Sequence, residues 1–174
     1  MTDAVERIRN AFERSERALL LKPSIGQGTA VTRVRVIDGL ACEVEEGPWK
    51  LLVDMSPKAG GTGAGPNPGV LGRAALGSCL AVGYGMWAAK LGVPISKLEV
   101  EVQADYDTRA EFGVGDVAPG YRQVRCVVTI ESEAPEAEVV AMVERAEAHS
   151  SYLAVFGRPQ DVRRELRVSA PPRA

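Results

Sequence analysis

The chain has one histidine, His149, in 174 residues. A catalytic or metal centre built on two histidines is therefore excluded. It has three cysteines, Cys42, Cys79 and Cys126, an odd number with no CxxC spacing. A disulfide framework or a structural zinc site needs a fuller and closer set. A reducing, cytoplasmic setting is the simplest home for such thiols. Charge of one sign is also lacking. The chain carries 21 Lys and Arg against 23 Asp and Glu, with no block of five like charges. Nucleic acid and anionic membranes call for a basic surface, so neither is an expected partner. The longest apolar run, Ala74 to Ala89, has 16 residues and contains Gly77, Gly83 and Gly85. A bilayer span takes roughly 20 residues, so this run reads as a buried core helix. Asp3, Glu6, Arg7 and Arg9 open the chain with no apolar run behind them, unlike a secretory leader. Acidic residues do not gather at the spacing of a metal site, and neither a metal nor a cofactor is expected.

What is present is a composition 45% hydrophobic, sufficient for one compact domain with a true core. No internal repeat is visible. Asp3 to Leu21 reads as an amphipathic helix with Val5, Ile8, Phe12 and Leu19 on one stripe. Pro23, Gly26 and Gly28 end it. A meander follows. Val34 and Val36 alternate with Arg33 and Arg35, Asp38-Gly39 signals a tight hairpin, and Leu40, Cys42 and Val44 alternate in turn. Gly47-Pro48 leads into a third strand, Trp49 to Val53.

Residues 59–66 form a glycine-rich loop. Asn67 has the character of an N-cap with Pro68 at the first helical position, and Gly92 and Pro94 stop a helix near Leu91. This helix is apolar on nearly every side, and its small residues would let another helix come close. Leu98 to Tyr106 and Gln123 to Ser132 alternate as half-buried strands. Pro135 to Ala148 reads as a helix and Val162 to Ser169 as a last strand. The class is α+β with a mainly antiparallel sheet.

Cys79 lies within the apolar helix. One reading is a small buried hydrophobe, the ordinary fate of a free cysteine. The other is a nucleophile, which requires a thiolate and a cation to stabilise it. Arg33 and Arg35 project from one face of one strand and are candidates for that cation, or else members of a solvated face. The stretch Gly60-Gly61-Thr62-Gly63-Ala64-Gly65 invites a phosphate-cradle reading. It places Pro66 where the third glycine belongs, and no Walker lysine follows. Cys42 and Cys126 fall on strand faces with apolar neighbours. His149 closes a helix, where stabilising the dipole is the usual role.

The run Gly60-Gly61, Gly65-Pro66-Asn67-Pro68, Ala74-Ala75-Leu76-Gly77-Ser78-Cys79-Leu80 and Ala88-Ala89-Lys90-Leu91-Gly92 resembles the signature of the OsmC/Ohr superfamily. Leu98-Glu99-Val100-Glu101-Val102 and Ala146-Glu147-Ala148-His149-Ser150 are similar to its later elements. The likeness covers residues 28–169, leaving 1–27 as a preceding helix and linker and 170–174 as a loose tail. The resemblance implies an OsmC-like fold: an intertwined homodimer with antiparallel sheets wrapped around central buried helices and sites at the subunit interface. It implies attack of the Cys79 thiolate on an organic hydroperoxide, with Arg33 or Arg35 as supporting cation. Two positions depart from the family pattern. Gly69 stands where the peroxidase branch has glutamate, and Ser150-Ser151 stands where a resolving cysteine is usual. The expectation is a thiol-dependent hydroperoxide reductase that uses an external thiol reductant. The alternative is a non-enzymatic dimer binding a small apolar molecule at its interface, with Gly69 and Ser150 among the binding positions. A hydrolase using Ser150 or Ser151 is a third reading, weakened by the absence of an evident acid partner.

Overall fold

The computed structural model describes residues 3–170. Helix α1 spans Asp3–Leu21, with Asp3 and Glu6 placed favourably in its first turn. Val5, Ile8 and Phe12 turn its apolar stripe toward the central helix and are half-buried. A short turn and an extended linker lead to a three-stranded antiparallel meander, β1 (Arg33–Asp38), β2 (Ala41–Glu46) and β3 (Trp49–Val53). Gly39 and Gly47 take φ of 52° and 55° in its two tight turns, a region that disfavours residues with a Cβ.

The register gives this sheet two unlike faces. Val34 pairs with Val44 and Val36 with Cys42, while Leu51 pairs with Val44 and Trp49 with Glu46. Directly opposed residues share a face, so one side is almost wholly apolar. On the other side Arg35 bonds Glu43 and Glu45, both at 2.7 Å, and Lys50 pairs with Glu45. These contacts raise the Arg35 and Lys50 pKa values and lower that of Glu45.

The sheet is tied to the rest of the chain through the glycine-rich loop. Asp54, 2% exposed, accepts hydrogen bonds from the N–H groups of Met55, Thr62 and Ala64 and from the Thr62 hydroxyl. A Cβ at Gly61 would lie 2.0 Å from the Met55 carbonyl oxygen, and one at Gly65 would lie 2.3 Å from that of Leu52. These glycines serve close backbone packing around an internal carboxylate. Amides at Thr62 and Ala64 that a phosphate would need are already committed to Asp54.

Helix α2 runs Pro68–Leu91. Asn67 Oδ1 accepts from Val70 N–H at 3.1 Å, and Gly92 closes the helix at φ 79°. Leu76, Leu80, Tyr84, Ala88 and Ala89 are buried. Two long strands cover this face, β4 (Lys97–Tyr106) and β5 (Tyr121–Glu131), paired antiparallel with Val100 opposite Val128 and Val102 opposite Cys126. A Cβ at Gly77 would meet Val102 Cγ2 at 3.1 Å, so a small residue allows the helix to lie close on the strands. Helix α3 (Glu136–Glu147) buries Met142 and Ala146 against the same core, and α4 (Ser151–Gly157) follows after a short break.

Two expectations are corrected. The segment from Val162 to Ser169 forms no strand. Its Val162, Leu166 and Val168 are well exposed, and among the described residues no strand pairs with it. Alternation alone makes no strand when no neighbour supplies the ladder. Helix α4, absent from the expectation, occupies the ground after His149. The tail at 170–174 lies almost wholly outside the described residues.

Candidate active site around Cys79

Cys79 sits on α2 between the buried Leu76 and Leu80 and is itself half-buried. Its Sγ lies 3.6 Å from Ser150 Oγ, within range for a sulfur hydrogen bond. Ser150 is fixed from both sides. Its N–H reaches the Glu147 carbonyl at 3.1 Å, closing α3. Its hydroxyl oxygen accepts from Leu153 N–H at 3.3 Å, capping α4. Two positions 71 residues apart, Cys79 and Ser150, are thus brought together. Among the described residues, Ser150 is the one side chain hydrogen-bonded to Cys79.

His149 stands beside this pair, its ring 5.0 Å from that of Trp87. His149 Nδ1 lies 2.7 Å from the Arg145 carbonyl oxygen. A carbonyl oxygen only accepts, so Nδ1 is the donor in that contact. Further along α2, Tyr84 is fully buried and its hydroxyl donates to Glu147 Oε1 at 2.8 Å. Burial first, and then this carboxylate, push the Tyr84 pKa up. Burial and then the Glu147 charge also push the Cys126 thiol up, so Cys126 stays protonated and weakly nucleophilic. Cys42 contacts the Leu40 carbonyl oxygen at 3.6 Å on the meander. All three thiols are free.

The other expected site residues are distributed differently. Arg33 and Arg35 lie on the charged face of the meander, where Glu43 and Glu45 hold Arg35. Gly69 lies in the first turn of α2, and its carbonyl accepts from Tyr121 OH at 3.3 Å. Arg73 Nη1 donates to that same hydroxyl at 3.2 Å, and Tyr121 stacks on Phe156. A Cβ at Gly69 would come within 3.2 Å of Arg73 Nη1 and of Asn67 Oδ1. A side chain there would press on the arginine and the helix cap, which would have to give slightly. The Arg73–Tyr121 pair and the Tyr84–Glu147 pair were not expected. Their only signal was a polar residue at helical spacing within an otherwise apolar helix. Among the described residues no group of three or more His, Cys, Asp or Glu is placed to hold a metal ion. No described helix is long and apolar enough to cross a membrane.

An α+β chain with antiparallel sheets and a half-buried thiol on its central helix defines a narrow class. The family of OsmC-like proteins matches residues 61–165, more than half of the chain, and the chain belongs to that family. No curated protein sequence matches it. Solved structures share its fold. An OsmC-like protein from Mycoplasma pneumoniae superposes with TM-score 0.65 at 16% identity, covering 75% of this chain and 89% of that one. An organic hydroperoxide resistance protein OsmC from Legionella pneumophila gives 0.53 at 16% identity, over 74% and 89%. An OsmC-like hydroperoxide resistance protein from Jannaschia sp. CCS1 gives 0.51 at 20% identity, over 79% and 91%.

Proposed function

We propose that this chain is a thiol-dependent reductase of organic hydroperoxides that works as a homodimer and draws on an external thiol. The observation that carries this reading is the half-buried Cys79 on the central helix with Ser150, and not a second thiol, at its sulfur. The names of two solved relatives as hydroperoxide resistance proteins support it.

In the first step the Cys79 thiolate attacks the outer oxygen of the hydroperoxide. The O–O bond breaks, the alkoxide leaves and takes a proton to become the alcohol, and sulfur becomes a sulfenic acid. A first external thiol then attacks that sulfur, forming a mixed disulfide and releasing water. A second attacks the mixed disulfide and returns the Cys79 thiolate with a small-molecule disulfide as product. A reducing cytoplasm supplies such thiols. The cation assigned to the thiolate is an arginine of β1 from the second copy. Arg33 suits this better than Arg35, whose guanidinium is already taken by Glu43 and Glu45.

Consumption of cumene hydroperoxide in the presence of dithiothreitol tests this reading. Wild type and the Cys42→Ser, Cys126→Ser double variant should turn over alike, and Cys79→Ser should be inert. Equal activity in Cys79→Ser would refute the mechanism. Arg33→Met should slow Cys79 alkylation at neutral pH more than Arg35→Met does.

The second reading is a dimer that binds a small apolar molecule without chemistry. It is favoured by the absence, among the described residues, of a cation hydrogen-bonded to Cys79. An unreactive Cys79 together with a co-purifying apolar ligand would establish it.

A further inference from the structure

The Ser150 hydroxyl has more bonding capacity than its helix cap uses. A serine hydroxyl carries one proton to donate and two lone pairs to accept with. One lone pair takes the Leu153 N–H at 3.3 Å. The proton plays no part in that contact, because an N–H only donates. Among the described residues, the one other polar atom bonded to Ser150 Oγ is Cys79 Sγ, at 3.6 Å. The oxygen is also held in place. The Ser150 N–H reaches the Glu147 carbonyl and the Ser150 carbonyl accepts from Ala154 N–H, both at 3.1 Å. Leu153 and Phe156 of α4 pack against the core that contains Leu80 and Tyr84. The Glu147 carboxylate, at the end of α3, is tied to Tyr84 of α2. Both elements that Ser150 joins are therefore fixed to the helix that carries Cys79, and the hydroxyl cannot swing away without giving up its cap.

Ionisation of Cys79 decides the direction of the bond. In the thiol form either group can donate. A thiolate only accepts, so the Ser150 O–H must then point at the sulfur. A hydrogen bond to an ionised acceptor is roughly twice as strong as one between neutral groups. The contact therefore favours thiolate over thiol.

We infer that Ser150 is a catalytic residue, whose hydroxyl donates to the Cys79 thiolate and supplies from the same chain part of the stabilisation a cation gives. The inference rests on the proposed thiol chemistry for its use, but not for the bond itself. The serine at the resolving position then serves the first step, attack of the thiolate on the peroxide. It has no part in the second, where an external thiol reaches the sulfenic acid.

The test reads iodoacetamide alkylation of Cys79 across pH, in the full chain carrying Cys42→Ser and Cys126→Ser, so that no peroxide is needed. Ser150→Ala removes donor and cap together. Ser150→Asp keeps the cap, since aspartate serves as well at that position, but its carboxylate only accepts. Tyr84, Glu147 and His149 titrate on the elements around this site and are the same in every variant. A donor that favours ionisation about tenfold also blunts the thiolate, with a Brønsted slope of about 0.4–0.5. Ser150→Ala should therefore react about threefold more slowly than serine near pH 7, and about threefold faster above about pH 10.5, where every thiol is ionised. Ser150→Asp should be slower still near neutral pH, although it keeps the cap. The crossing of the two profiles is the signature, because a looser helix end would change the rate in one direction at every pH. Parallel profiles for serine and alanine, or a wild-type rate from Ser150→Asp near neutral pH, would overturn the inference and leave Ser150 a cap alone. If the profiles cross but wild type consumes no cumene hydroperoxide, the hydrogen bond stands and the proposed reaction falls.

Discussion

Ser150 Oγ accepts from Leu153 N–H at 3.3 Å and lies 3.6 Å from Cys79 Sγ, so one hydroxyl both caps α4 and flanks the thiol. Ser150→Ala removes a helix cap, and a loss of about 1 kcal/mol is expected in urea denaturation. Ser150→Cys tests the chemistry. A thiol at that position is close enough to attack a sulfenic acid on Cys79. Treatment with one equivalent of hydroperoxide should then yield an internal disulfide and a loss of dimedone labelling, where wild type is labelled. Persistent labelling would show that the two side chains do not meet in solution. At Asp54 the outcome depends on pH. Four hydrogen bonds, that from the Thr62 hydroxyl foremost, hold its carboxyl down to about 2 from an ordinary 3.8. A folded pKa below the unfolded one stabilises above about pH 4 and is lost as pH falls through 2. The melting temperature of wild type should therefore drop more between pH 5 and pH 2 than that of Asp54→Asn, which starts several degrees lower because an amide offers one acceptor oxygen instead of two. Parallel curves would mean that Asp54 does not organise the loop.

Among the elements, α2 was the most legible in the sequence. Asn67 as cap, Pro68 behind it and Gly92 at the end mark its limits because each answers a backbone need that few residues meet. The inner faces of β4 and β5 were legible from alternation, since Leu98, Val100 and Val102 face the core together with Val124, Cys126 and Val128. α4 was missed because its seven residues are too few to display a helical period. The run from Val162 was read as a strand because alternation records which side chains could be buried, not whether a neighbour exists to pair with. Cys79 was legible as a position and Ser150 as its companion only through the family likeness, because contacts across 71 residues leave no local pattern. Tyr84 illustrates the same gap. In a helix apolar on nearly every side, neither its place in the buried stripe with Leu76 and Leu80 nor its partner Glu147 on α3 could be read. Tyr84→Phe leaves that half-buried carboxylate without its donor and should cost about 1–2 kcal/mol. Urea unfolding of Tyr84→Phe beside Glu147→Gln and the double variant would show the coupling. Strictly additive losses would mean that the 2.8 Å contact contributes nothing.

At the scale of the whole molecule, the apolar side of the meander has nothing sufficient to cover it among the described residues. Val34, Val36, Trp49 and Leu51 are all more than half exposed on that side. A second uncovered line runs along α2, where Val70, Ala74, Ser78, Val82 and Met86 recur every four residues and all are exposed. A stable monomer rarely leaves so much contiguous apolar surface in water. Both surfaces are relieved at once if the meander of one copy lies over the helix of another, and Cys79, on the same helix, would then be enclosed by the second chain. Each buried square ångström contributes about 25 cal/mol, so a single charge on this face should be enough to shift the balance. Wild type should run in light scattering at twice 18.5 kDa, and Val36→Lys should move toward one chain's mass as it is diluted. Val36 touches neither the thiol nor its capping serine, so its effect on chemistry must pass through assembly. Peroxide consumption by Val36→Lys should fall with the dimer fraction and recover at high protein concentration. Full activity from a confirmed monomer would show that each chain carries a complete site alone, and the arginine of β1 would lose its assigned role.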